Sequence, residues 1–207
     1  MKNIFLVSLM ILVTPISAYS QSVKAIDEIA PFNEGLAAVR KGNQWGFMDT
    51  QGNLVIDFRR DLVWNKEADI SKKDVEAIRY PIFKDGMCLV QKMEDEIPVY
   101  GFIDTKGDLV IDHQFLNVSQ FNNGYTTGVV FEKVFRGNNE FNLKIYDFKF
   151  HDVLMNTSGE IEEFFDRRYH IQMTKRRYEL PSLHAILLLP NLIAVKIKDQ
   201  GWEVRKL

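Results

Sequence analysis

The sequence predicts an all-β chain of tandem repeats: short antiparallel three-stranded units stacked into a curved array, with minor helical insertions. Three observations carry this. Trp45-Gly46-Phe47-Met48-Asp49-Thr50-Gln51-Gly52-Asn53-Leu54-Val55-Ile56-Asp57 returns as Tyr100-Gly101-Phe102-Ile103-Asp104-Thr105-Lys106-Gly107-Asp108-Leu109-Val110-Ile111-Asp112. An internal repeat of this kind marks a repeat architecture. A Phe-x-x-Gly turn followed by a strand-like run stands ahead of each copy, as Phe32-Asn33-Glu34-Gly35 and Phe83-Lys84-Asp85-Gly86, and again as Phe121-Asn122-Asn123-Gly124 before a fainter third copy around Asn156-Thr157-Ser158-Gly159. Glycine recurs where tight hairpins require it, at Gly52, Gly107 and Gly159.

Taken in order, the first unit reads as strands over 36–41, 45–49 and 54–58. Gly42-Asn43-Gln44 separates the first two, and glycine with asparagine is good turn material. Thr50-Gln51-Gly52 separates the second two, as a type I turn followed by Gly52 at positive φ. Asp49, Asp104 and Asn156 precede these turns, where a short acceptor side chain bonds backbone N–H groups two residues on. Trp45 with Phe47, and Tyr100 with Phe102, share one strand face, and Met48 or Ile103 stands on the other. This strand is therefore expected at the centre of a sandwich between units. Gly46 and Gly101 are expected to let an aromatic ring of a neighbouring unit lie on the backbone, since glycine inside a strand marks a close approach.

Units are placed at about 32–82, 83–120 and 121–190, with a partial capping unit at 191–207 that holds Trp202. Residues 71–78 read as a short helix capped by Ser71, with Asp74 reaching back. The alternation over 141–148 reads as a strand of the third unit. The stretches 62–80 and 131–142 read as irregular insertions, and loops on a rigid scaffold carry recognition.

The first 20 residues read as a cleavable signal peptide. Lys2 opens it, an apolar run follows over 4–16, and Ala18-Tyr19-Ser20 leads to Gln21 as the mature start. This places the mature chain, 21–207, in the periplasm or outside the cell, without a transmembrane anchor. Hydrophobic residues at 46% and charged residues at 26% are those of a globular protein. A net charge of −2 provides no general electrostatic footprint for nucleic acid. Cys88, the single cysteine, cannot close an internal disulfide and reads as a small buried hydrophobe.

Phe-x-x-Gly-Leu-Ala-x-Val followed by Trp-Gly-Phe-Met-Asp-x-x-Gly-x-x-Val-Ile resembles the WG repeat family, in its exported bacterial type. The motif is full over 32–58, good over 83–115 and degenerate over 121–164, where His151-Asp152-Val153 replaces the Trp-Gly pair, and Trp202 is followed by Glu203. The resemblance implies a β-repeat scaffold with interaction roles and no shared catalytic centre. The motif residues Gly35, Trp45, Gly46, Asp49, Gly52, Gly86, Tyr100, Gly101, Asp104, Gly107, Gly124 and Gly159 are thus read as structural.

The chemistry-bearing residues form no recognised constellation. His113, His151, His170 and His184 lack metal-pair spacing. Asp104, Asp108 and Asp112 lack the pattern of a calcium loop. The basic run Arg167, Arg168, Lys175, Arg176 and Arg177 follows Glu160, Glu162, Glu163 and Asp166, which neutralise it. The expectation is a non-enzymatic scaffold without cofactor or metal, binding another protein or an envelope component. The alternative is a glycan-binding module using Trp64 and Trp202, or a glycan hydrolase with carboxylates from separate units, since two acids facing one cleft suffice for that chemistry.

Overall fold

The computed structural model describes residues 24–207; the expected signal peptide lies outside them. Strands β1 (Glu28–Ile29), β2 (Leu36–Lys41), β3 (Gln44–Asp49) and β4 (Leu54–Arg59) form one antiparallel sheet in chain order. Strands β5 (Cys88–Glu94), β6 (Ile97–Ile103), β7 (Leu109–Val118), β8 (Tyr125–Asn138), β9 (Lys144–Asn156) and β10 (Ile161–Arg168) form a second. Strands β11 (Ala185–Leu189), β12 (Leu192–Ile197) and β13 (Gly201–Lys206) form a third, and none of the three closes into a barrel. Among the described residues no helix is long and apolar enough to cross a membrane.

The second and third units share a sheet instead of forming separate three-stranded units. The cause is β7, whose first part pairs with β6 and whose end, Phe115 to Val118, pairs with β8. The same joint recurs elsewhere in weaker form. Ala30 N–H donates to Ala38 O at 2.9 Å, Val63 N–H to Leu89 O at 3.1 Å, and Ser119 N–H to Thr127 O at 2.9 Å. Ala38, Leu89 and Thr127 each stand six residues after the repeated phenylalanine. Every first strand therefore gains a neighbour from the chain ahead of it. In the second unit that neighbour is given before the insertion, which leaves after Val63 and returns at Phe83.

The repeated turn is a two-residue hairpin. Asn33 bridges Leu36, Lys84 bridges Met87 and Asn122 bridges Tyr125. The central pairs Glu34-Gly35, Asp85-Gly86 and Asn123-Gly124 all have positive φ, as a type I′ turn demands. The first member also links the units. Glu34 accepts from the Asp85 and Gly86 N–H groups at 2.7 and 2.9 Å, and Asp85 accepts from Gly124 N–H at 2.7 Å. At the second hairpin Asp49 Oδ1 accepts from Gln51 and Asn53 N–H, and Gly52 has φ 84°. The Asn53 bonds hold the Asp49 carboxyl below its ordinary range. Asp104 and Asn156 make the equivalent bonds ahead of Gly107 and Gly159.

Alternate side chains of each strand face opposite neighbours, so the cores lie between units. Trp45, Phe47 and Ile56 of the first unit pack with Phe83, Cys88, Val90 and Ile103 of the second. Tyr100, Phe102 and Ile111 pack in turn with Phe121, Val153 and Met155. The ring contact repeats, Phe47 to Phe83 at 4.6 Å and Phe102 to Phe121 at 4.8 Å. Fully burying such a ring contributes about 1.5–3 kcal/mol. Desolvation pushes the Cys88 thiol and the Tyr100 hydroxyl each up to about 12.

Gly46 and Gly101 serve a different approach from the one expected. A Cβ at Gly46 would meet Ile56 O at 2.7 Å, and one at Gly101 would meet Ile111 O at 2.6 Å. The close neighbour is the backbone of the unit's own third strand, at a register shift. The ring lies elsewhere: a Cβ at Gly128 would meet the Phe115 ring at 2.5 Å. Gly107 and Gly159 rest instead over Ile56 and Ile111 of the preceding unit, where an added Cβ would make contact at 3.4 Å.

Three further expectations change. Residues 71–78 hold only a 3-10 turn, Val75–Ala77, capped by Asp74, which accepts from Glu76 N–H. Ser71 instead bonds Asp69. The stretch 131–142 is not irregular. It completes β8, which pairs with β9 out to Asn138 and Lys144, so Phe141 and Leu143 lie in the turn and the strand begins at Lys144. Residues after β10 cover the outer face of the six-stranded sheet, where Ile171, Met173 and Tyr178 pack on Ile97, Leu116 and Phe150.

Candidate functional site

The stacking of the third unit on β11 to β13, the third joint between units, departs from the two joints before it, position by position. Strand pairing puts Asp152 opposite Val129, as Trp45 is opposite Arg40 and Tyr100 opposite Gln91. Thr127 takes the place of Leu89, Glu163 that of Ile111, and Leu188 that of Phe83 and Phe121. Phe83 and Phe121 are 1% exposed, but Leu188 is 46% exposed. The remaining apolar contact is small, Leu154 with Ala185, Ile193 and Val195. With Leu154 in the place of Phe102, the joint loses three rings and two large aliphatic groups relative to the one before it.

Two of these positions, Thr127 and Leu188, line a cleft of about 620 Å³, within the range of small-ligand and side-chain pockets. Ser119, Thr127, Ile186, Leu187 and Leu188 line it from the joint, and Ile70, Lys72, Lys73, Asp74 and Ala77 from the insertion. The insertion wall is pinned. Asn117, fully buried, donates to Asp74 Oδ2 at 3.0 Å and to Pro181 O at 2.9 Å, and accepts from Val118 N–H at 2.9 Å. Val75 and Ile78 anchor the same wall in the second core. A buried amide with its donors and acceptor engaged fixes geometry, because leaving any of them unpaired costs about 1–3 kcal/mol. Ser119 and Thr127 are also held, with Thr127 N–H donating to Ser119 Oγ at 3.1 Å.

The charges in the cleft are mostly positive: Lys72, Lys73 and Lys84 against Asp74. Elsewhere in the joint Asp152 is buried, and Arg168 Nη1 reaches its two oxygens at 3.3 and 3.4 Å. Burial outweighs this long contact and pushes the Asp152 carboxyl up to about 6. His184 Nδ1 lies 3.8 Å away, and burial holds its imidazole below the ordinary range.

None of the motif residues lines the cleft; they form the turns, glycine contacts and cores described above. The insertion at 62–80 does contribute a wall, whereas the 131–142 stretch forms a hairpin arm with Phe135 and Phe141 exposed. Trp64 packs edge-on against Trp45 at 5.6 Å, and Trp202 is half exposed. Arg168 faces Asp152, and Lys175 faces Glu96. Among the described residues no three His, Cys, Asp or Glu side chains converge as metal ligands. The cleft lysines escape sequence reading because they sit on unrelated segments. The substitutions at Thr127 and Leu188 are the one local signal of the opening.

Comparison with known proteins adds one finding. The model of the WG containing repeat matches residues 25–45, 45–61 and 100–127. No curated protein and no solved structure matches the chain. The matched segments hold β2 to β4 and the second Tyr-Gly hairpin, the parts whose stacking is described above. Through them the chain carries WG repeats.

Proposed function

We propose that this chain is an exported, non-enzymatic repeat scaffold that binds another protein or a cell-envelope component. The observation that supports the reading is the cleft at the third joint, with one wall a pinned insertion and the other the stacked sheets. A rigid stack carrying an irregular insertion beside an unfilled joint suits recognition. Among the described residues Asp74 is the one carboxylate lining the cleft, whereas glycoside hydrolysis uses a facing pair. Export rests on the leader over residues 1–20, with maturation at Gln21.

The test is affinity capture with residues 21–207 from envelope and secreted fractions, beside a variant in which residues 64–80 are replaced by a short Gly-Ser linker. The reading expects a reproducible partner that the variant loses. Recovery of nothing, together with degradation of an envelope polysaccharide by the same preparation, contradicts it. N-terminal sequencing of the protein from those fractions checks export; an intact Met1 start contradicts the leader.

A further inference from the structure

The cleft has a definite sign in a chain whose net charge is −2. Lys72, Lys73 and Lys84 line it. The opposing Asp74 carboxylate is already engaged, accepting from Asn117 Nδ2 and from Glu76 N–H. Lys72 lies 3.6 Å from Glu76. Lys73 and Lys84 make no ion pair among the described residues.

Another wall is β11, an edge strand of the three-stranded sheet. Its Leu187 and Leu188 line the cleft, and Ile70, 83% exposed, stands with them. An edge strand offers main-chain donors and acceptors along one side, and extended peptides add to such edges. Apolar side chains on that strand suit alternate residues of an incoming strand, and the lysines suit carboxylates between them.

We infer that the cleft takes an extended acidic peptide segment of a partner protein, its backbone beside β11 and its carboxylates facing Lys73 and Lys84. The inference rests on the binding role proposed above and gives it a partner chemistry. The charge complementarity that recommends the occupant also sets its salt dependence, because exposed charge pairs weaken as the Debye length shortens to about 3 Å at 1 M salt.

The experiment titrates the 15N-labelled protein with the peptide acetyl-Glu-Ile-Glu-Val-Glu-Leu-amide. Its counterpart with lysine for glutamate is titrated alongside, and so is citrate. The acidic peptide is expected to move the Leu187, Leu188, Lys73 and Lys84 amides. Binding should weaken about tenfold, equivalent to about 1.4 kcal/mol, in the double variant Lys73→Glu, Lys84→Glu, whose fold is checked by circular dichroism. Unmoved cleft amides, equal binding of the lysine peptide, or undiminished binding by the variant overturns the inference. Citrate binding in the cleft with no peptide response also overturns it, in favour of a small anion. A captured partner that depends on residues 64–80 alongside a silent peptide titration removes only this inference, whereas an empty capture together with degradation of an envelope polysaccharide removes the binding role itself.

Discussion

The second and third joints are built from the same strand positions and differ in what fills them. At the second, Tyr100, Phe102 and Ile111 meet Phe121 and Met155 in a buried aromatic and aliphatic core. At the third, Asp152, Leu154 and Glu163 stand on the matching positions, and Leu188 replaces the ring. One joint gains stability from burial. The other holds a buried carboxylate opposite Arg168 and a cleft, with Glu163 paired to Arg205 at its edge. The comparison teaches that the repeat motif records what presses on a unit from its neighbour. Where the neighbour's ring is gone, the aromatic residues and the large aliphatic contacts go with it. That region is then open for other chemistry.

The largest break in the comparison is Phe102→Ala. Removing a ring from the filled joint costs about 3–5 kcal/mol, read as a lower urea midpoint. Leu188→Ala, at the position that Phe121 holds against Phe102 in the filled joint, is half exposed and costs under about 1 kcal/mol by the area it buries. Equal losses would erase the distinction between the joints. Next is Gly101→Ala, where the new Cβ would stand 2.6 Å from Ile111 O. Such overpacking costs about 1–3 kcal/mol. The same change at Gly137, where a Cβ has open space but φ is 127°, tests backbone strain without a clash.

Two smaller changes sharpen the comparison. Asp85→Gly tolerates the positive φ of 50° but loses the carboxylate that accepts from Gly124 N–H. About 0.5–1.5 kcal/mol is expected from one such bond, measured by thermal melting. The last is a pH effect. The folded Asp152 carboxyl titrates near 6, above its ordinary 3.8. An acid raised on folding contributes stability that is fully present below about 3.8 and lost as pH rises through about 6. Asp152→Asn should therefore flatten the pH dependence of stability in that window, in urea melts at pH 4, 5, 6 and 7.

Sequence reading recovers what is local. The strands over 36–41, 45–49 and 54–58, the hairpin at Gly52 and the aromatic pairs follow from turn chemistry and a two-residue period within a few positions. It misses what depends on contacts across units. The carboxylate ladder joins Glu34 to Asp85, residues with no local reason to meet. Gly46 reads as a seat for a ring because sequence names the glycine but not the bulged strand beside it. The six-stranded sheet depends on β7 running past its own unit. The cleft gathers Lys73, Lys84, Thr127 and Leu187 from four segments, each an ordinary surface or strand residue by itself.

The most direct test of the two-joint account is native-state amide hydrogen exchange on the whole protein. The account predicts that the amides of β11 to β13, held through the thinly packed joint, exchange by opening at a lower free energy than those of β5 and β6, which lie between two filled cores. Uniform protection across all three sheets would contradict it, because the polar joint would then couple the units as firmly as the aromatic ones.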